Sequence, residues 1–222
     1  MIATLRDEFL ITMQKFINHV DLTIRQIEGE IKLQIPDVVL PDDPKALEKN
    51  EGLLTIIEAA VYGWEAQITE AIDVQSRRDR KSKSPLAEID YWRERNISFS
   101  GIYEQTKQEK VQKIIEILTK IESPASSSFE GARKELAKNY NEAKDNVRFL
   151  STLERHFKII CYGSSFHVVA ETLPSMMNSL RMIWIISRHY NKDDRMIPLM
   201  EMIAWELSER VSKVINVKTI FE

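Results

Sequence analysis

Apolar residues recur three or four positions apart along nearly the whole chain, and that spacing leaves few folds open. Between residues 1 and 34 the stripe is Ile2, Leu5, Phe9, Met13, Phe16, Val20, Ile24, Ile27 and Ile31. Steps of three and four put these residues on one face of an α-helix, and such a face must be buried. A helix of that length is a rod of about 50 Å at 1.5 Å per residue. It outruns a small core and needs partner helices along it. Residues 35–44, IPDVVLPDDP, carry three prolines and end the helix.

The same period resumes near Pro44 and runs to about Gln75 through Leu47, Leu54, Ile57, Val61, Trp64, Ile68 and Ile72. Ser84 followed by Pro85 has the form of an N-cap and a first helical position. Glu88 and Asp90 fall early, where negative charge complements the helix dipole. Leu86, Ile89 and Trp92 share one face. This helix is expected to reach Glu122, thinning over EQTKQEK (104–110) as a fray or kink. SPASSS (123–128) reads as a linker, with Ser127 and Glu130 at capping-box spacing. The next helix carries Leu136, Tyr140, Val147, Leu150, Leu153 and Phe157 and stops near Gly163. A fifth is expected from Thr172-Leu173-Pro174 to Tyr190-Asn191, packing Met177, Leu180, Ile183, Trp184 and Ile186. Asp193 or Asp194 would cap a sixth, with Pro198 in its first turn and a stripe of Met196, Leu199, Met200, Ile203, Leu207, Val211 and Val214.

No convincing period-two strand interrupts this pattern. The expected fold is all-α, an elongated array of long antiparallel helices. The proline-rich break divides the chain into residues 1–44 and 45–222. Trp64, Leu86, Ile89, Trp92, Leu150, Phe157, Leu180, Trp184 and Tyr190 are the expected packing anchors.

Composition narrows function. The net charge of −3 argues against a dedicated nucleic-acid binder. Cys161 is the single cysteine, so no intrachain disulfide is possible, which suits a reducing, cytoplasmic setting. No apolar run approaches the roughly 18–20 residues of a membrane span, and MIATLRDEFL carries acids too early for a secretory signal. The six glycines are too scattered for a phosphate-cradling loop. His167 and Glu171 are spaced as half a metal site, without a matching second pair. No carboxylate pair or Cys–His pair stands out. No catalytic, cofactor-binding or metal-binding residue is therefore expected. The basic segment 76–84 holds Arg77, Arg78, Arg80 and Lys81. It reads either as a solvated loop or as a docking patch. The four tryptophans read as core anchors, with Trp205 the first candidate if one of them instead faces a partner. A membrane-associating amphipathic module, a generic helical scaffold and a helical enzyme with a cryptic site are the alternatives from other classes.

PLAEIDYWRER, from Pro85 to Arg95, resembles the P-x-x-E-[IVL]-x-[FY]-W-x-x-R signature of the dynein heavy-chain tail, N-terminal region 1. Further blocks fit in order: Val61, Trp64 and Gln67-Ile68; AKDNVRFLSTLERHF (143–157); LPSMMNSLRMIWIISRHYN (173–191); and DDRMIPLMEMIAWELSERV (193–211). The resemblance covers roughly residues 47–221, and IWIISRHYN looks more axonemal than cytoplasmic. It implies a piece of a very large microtubule motor whose ATPase machinery lies elsewhere. The implied role is structural: association with another dynein heavy chain, itself or a paralogue, and docking of intermediate and light chains, in the cytoskeleton of a cilium or flagellum. Residues 1–44 fit less clearly and would belong to a preceding tail element.

Overall fold

The computed structural model describes residues 9–10, 12–14, 16–21, 23–24, 31–41, 44–77, 84–163 and 165–214. Among them every regular element is helical. The described positions between 9 and 24 are helical. They are followed by α1 (Pro44–Glu48), α2 (Glu51–Arg77), α3 (Pro85–Gln105), α4 (Glu109–Lys120) and α5 (Pro124–Leu150). A 3-10 turn (Ser151–Leu153) leads into α6 (Glu154–Tyr162), then α7 (Phe166–Ile186) and α8 (Asp193–Val214). Ile2, Leu5 and Ile27 of the first stripe lie outside the described residues.

Proline marks three helix starts. Pro44, Pro85 and Pro124 each open a helix at the position where a missing N–H costs nothing. Ser84 Oγ accepts from the Ala87 N–H at 3.2 Å and so caps α3. Ser123-Pro124 repeats the device, which corrects the reading of 123–128 as a linker. Ser127 lies inside α5 and caps nothing. Ser126 Oγ instead donates back to the Ser123 carbonyl at 2.8 Å, and Ala125 and Phe129 are fully buried.

Other boundaries also differ from the sequence reading. The helix from Pro44 breaks at Lys49-Asn50, where Asn50 Oδ1 accepts from the Leu53 N–H at 3.2 Å and caps α2. The thin stretch 104–110 is a true break between α3 and α4. The long helix ending near Gly163 is divided by the 3-10 turn. α7 begins eight residues before Pro174, at Phe166, capped by Ser165, whose hydroxyl accepts from the Val168 N–H. Pro174 therefore sits inside the helix, at a cost the buried neighbours Thr172 and Met176 must offset. α7 ends at Ile186 rather than at Tyr190-Asn191. Asp193 and Asp194 occupy the first turn of α8 rather than its cap, and Pro198 falls in the second turn.

The chain divides into two compact units. One comprises residues 1–78 and 97–140, the other 79–96 and 141–222. That division does not follow a boundary at residue 44. α3 and α5 each contribute residues to both units.

In the first unit, Ile57, Val61, Trp64 and Ile68 of α2 are buried with Leu47, Phe99, Ile102, Ile114, Leu118 and Phe129. The Trp64 and Phe129 rings meet edge-on at 5.9 Å. Residues 31–41 are not helical, which corrects the extension of the first helix to residue 34. Side chains satisfy their backbone instead. Gln105 donates to the Ile31 carbonyl at 2.7 Å and accepts from the Leu33 N–H at 2.8 Å, while Trp64 Nε1 donates to the Gln34 carbonyl at 2.8 Å. Leu33 is buried by this arrangement.

In the second unit, α6 packs on α7 and α8, and α7 on α8. Leu150, Leu153, Phe157, Ile160, Met176, Leu180, Ile183, Leu199 and Ile203 are all buried there.

One backbone position is costly. α4 ends with the Ser123 N–H on the Leu118 carbonyl and the Glu122 N–H on the Thr119 carbonyl, a Schellman closure. Glu122 holds the left-handed position, with φ at 57°, where glycine is favoured. Glu122→Gly is expected to raise stability by about 1 kcal/mol, read from urea denaturation. An unchanged or lowered midpoint would show that the position carries no strain.

Candidate functional site

The first three turns of α3 build a polar knot in the second unit. Glu88 is fully buried one turn into the helix, and Trp92 lies one turn further on the same face. The Trp92 indole N–H points between two acceptors, Glu88 Oε1 at 3.0 Å and the Tyr190 hydroxyl at 2.8 Å. The Tyr190 hydroxyl in turn donates to Glu88 Oε1. Tyr190 is placed by the turn after α7, where Ser187 Oγ accepts from the His189 and Tyr190 N–H groups at 3.2 and 3.0 Å. Two guanidinium groups flank the indole. Arg95 lies 5.8 Å and Arg195 5.2 Å from the Trp92 ring, a cation–π arrangement. Arg95 also bonds the Tyr91 hydroxyl at 3.2 Å, and Arg195 reaches Glu142 at 2.9 Å.

This arrangement joins two stretches about a hundred residues apart. It holds a carboxylate, an indole and a phenol in mutual hydrogen bonds, with all three side chains buried. It leaves no carboxylate edge open to a substrate, so its chemistry is structural. Glu88, Arg95, Ser187 and Arg195 are the contributors that sequence reasoning missed. The Glu88–Trp92 spacing of four was a visible signal. Nothing local pointed to Tyr190 as the third member. Arg195 pairs with Glu142, fifty-three residues away in sequence, which no local spacing indicates.

Beside the knot, Arg93 forms a two-pronged pair with Glu154 at the start of α6, with a shortest distance of 2.5 Å. Lys158 adds a contact to Glu154 at 2.8 Å. Cys161 is half-buried, and burial, with Glu206 beside it, pushes its thiol up to about 11 against the opposing pull of Arg210. A thiol held so firmly protonated is a poor nucleophile. His167 and Glu171 do pair, at 3.1 Å, but both are exposed. No group of three or more potential metal ligands occurs among the described residues. No described helix is long and apolar enough to cross a membrane.

The second unit also carries an open apolar groove. Met177, Leu180, Arg181 and Trp184 of α7 face Asp193, Met196, Ile197 and Met200 of α8 around about 320 Å³ of space. Trp184 is 40% exposed, which corrects its reading as a core anchor. Trp205 is 69% exposed further along α8. Trp64, Ile89, Trp92, Leu150, Phe157, Leu180 and Tyr190 are buried, and Leu86 is half-buried. Arg77 lies in the last turn of α2, exposed and 3.8 Å from Asp73. Arg78, Arg80 and Lys81 lie outside the described residues. Phe9, Phe16 and Ile24, of the first stripe, are exposed.

The sequence model of the family described as "Dynein heavy chain, N-terminal region 1" matches residues 54–222. The chain belongs to that family. It is 48% identical over its whole length to human "Dynein axonemal heavy chain 10". It is 39% identical over 96% of its length to "Dynein-1-alpha heavy chain, flagellar inner arm I1 complex" of Chlamydomonas reinhardtii. It is 27% identical over 91% of its length to "Dynein beta chain, flagellar outer arm" of the same organism. The chain spans about 5% of the length of these relatives. It is thus a dynein heavy-chain tail segment, with no ATPase domain in this stretch. The stretch PLAEIDYWRER supplies Glu88, Trp92 and Arg95 of the knot, and IWIISRHYN supplies Ser187 and Tyr190. Two of the blocks that carry the resemblance thus meet in space.

Two outcomes follow. Tyr190→Phe removes a buried hydroxyl that both donates and accepts, and is expected to cost about 1–3 kcal/mol, measured by chemical denaturation. A loss below the measurement error would show that Glu88 and Trp92 satisfy each other without it. Hydrogen bonds from Arg93 and then Lys158 hold the Glu154 carboxyl below its ordinary value of 4.5. A lowered folded-state value means stability that is fully present above the unfolded value and lost as pH falls through the folded one. Glu154→Gln should therefore flatten the decline of stability below about pH 4.5. Parallel profiles for variant and parent would show that the pair does not contribute.

Proposed function

We propose that this chain is a non-catalytic, load-bearing segment of an axonemal dynein heavy-chain tail, working in the cytoskeleton of a cilium or flagellum. Helices packed through continuous apolar seams resist bending, and the Glu88–Trp92–Tyr190 knot fastens distant stretches of the second unit together. The segment needs no cofactor for this role. Its partners are another dynein heavy chain, itself or a paralogue, and the dynein intermediate and light chains. Residues 1–44 belong to a preceding tail element, whose exposed stripe suits heavy-chain contacts.

The observation that carries the docking part of this reading is the α7–α8 groove. Four large apolar side chains, Met177, Trp184, Ile197 and Met200, are at least 40% exposed around it. Contiguous exposed apolar surface of that kind marks interaction sites, and methionine-lined grooves adapt to helical partners. Substituting Trp184→Glu together with Met200→Glu in the full-length heavy chain tests it. The helical content of the segment should be retained, while recovery of co-assembled dynein subunits falls at least about tenfold, as expected on losing a hot spot. Full assembly of the variant into its dynein complex would rule the groove out as a docking surface.

A further inference from the structure

Six of the chain's eight methionines lie on α7 and α8. Met177 of α7 and Met200 of α8 line opposite walls of the apolar groove. Their near neighbours are hidden. Met176 is fully buried while Met177 is 48% exposed, and Met196 is buried one turn before Met200, which is 44% exposed. Helical phase thus sorts these sulfurs into a sealed pair and an open pair on the same two helices. Met182 is exposed as well but does not line the groove.

Exposed thioethers are the ones that oxidise, and the product is a polar, chiral sulfoxide. The usual competitor for an oxidant is a cysteine thiolate. Cys161, the single cysteine, is half-buried, and its thiol is pushed up to about 11, so it stays protonated at neutral pH. The sulfur open to an oxidant in the second unit is therefore methionine sulfur, in and around the groove.

We propose that Met177 and Met200 form an oxidation site that closes the groove to its partner. The reactant is a hydroperoxide. One of its oxygens passes to the thioether sulfur, the O–O bond breaks as the S–O bond forms, and water or an alcohol leaves. Each sulfur gives up two electrons and the peroxide is reduced. A sulfoxide on either wall puts an acceptor on a surface that must become dry when an apolar partner docks, and burying an acceptor without a donor is costly. A seated partner in turn shields both sulfurs. The inference rests on the groove being a docking surface.

Full-length heavy chain freed of its co-assembled subunits is treated with hydrogen peroxide, mapped by mass spectrometry and returned to the subunits. Met177 and Met200 should oxidise ahead of Met176 and Met196, and recovery of co-assembled subunits should fall at least about tenfold. Methionine sulfoxide reductase should restore it. Met177→Leu together with Met200→Leu conserves volume and should keep assembly through the same treatment, which separates the groove from Met182 and from oxidation elsewhere. Sulfoxide at both positions with undiminished recovery, or an equal loss in the leucine variant, would overturn the proposal. If the leucine variant does not assemble untreated, the parent decides: recovery that stays low after both sulfoxides are reduced overturns it. Trp184→Glu with Met200→Glu keeps the two readings apart. Full assembly of that variant removes the docking surface itself, whereas its failure beside an oxidised parent that assembles removes only the oxidation site.

Discussion

A carboxylate with no exposure is the constraint on which the second unit turns. Glu88 sits in the first turn of α3, a favourable place for negative charge, but burial removes its water and demands replacement donors. The Trp92 indole and the Tyr190 hydroxyl supply them, and Arg95 and Arg195 bring positive charge to either side of the indole. The energetic lesson is asymmetric. An apolar replacement of such a set often packs as well, but removing one member strands the others, at about 3–5 kcal/mol for a buried charged group. The knot therefore specifies which turn of the chain meets which, more than it adds net stability. It ties the entrance of α3 to the turn between α7 and α8, and so positions the helices that form the groove.

Much of this was legible in the amino acids. The three-and-four spacing made an all-α fold the natural reading, because no other regular structure buries such stripes. Ser84-Pro85 could be read as a helix start because both residues have a local mechanical role there. Ser123-Pro124 has the same chemistry, yet the serine-rich stretch around it looks like a linker. What decides in favour of helix is the burial of Ala125 and Phe129, which is a tertiary event. Pro174 misled for the opposite reason. Its local cost is real, but the packing of Thr172 and Met176 outweighs it. Residues 31–34 failed the helical reading because their backbone groups are claimed by Trp64 and Gln105, thirty residues away in one case and more than seventy in the other.

The site was less legible than the fold, and the reason is geometric. Periodicity tells which residues share a face, not which neighbour that face meets. Glu88 and Trp92 could be placed side by side from their spacing. That Tyr190 closes the triad depends on the turn built by Ser187, whose geometry no stripe records. Arg195 illustrates the same limit: it lies seven residues beyond Arg188, a helical spacing, yet the break after Ile186 separates the two and Arg195 meets Trp92 and Glu142.

Trp184 carries the last step of the argument. α7 presents Met176, Leu180 and Ile183 inward and leaves Met177, Met182, Trp184, Ile185 and Ile186 exposed. A helix on the outside of a finished protein is apolar along one stripe and polar on the rest. α7 is apolar around most of its circumference over its last three turns, which is the composition of a helix with neighbours on more than one side. That is why the stripe expected from its sequence, Met177, Leu180, Ile183, Trp184 and Ile186, mixes two buried residues with three exposed ones. The ambiguity of α7 on the page and the open apolar groove beside α8 are one physical fact: this helix has more greasy surface than the described residues can cover.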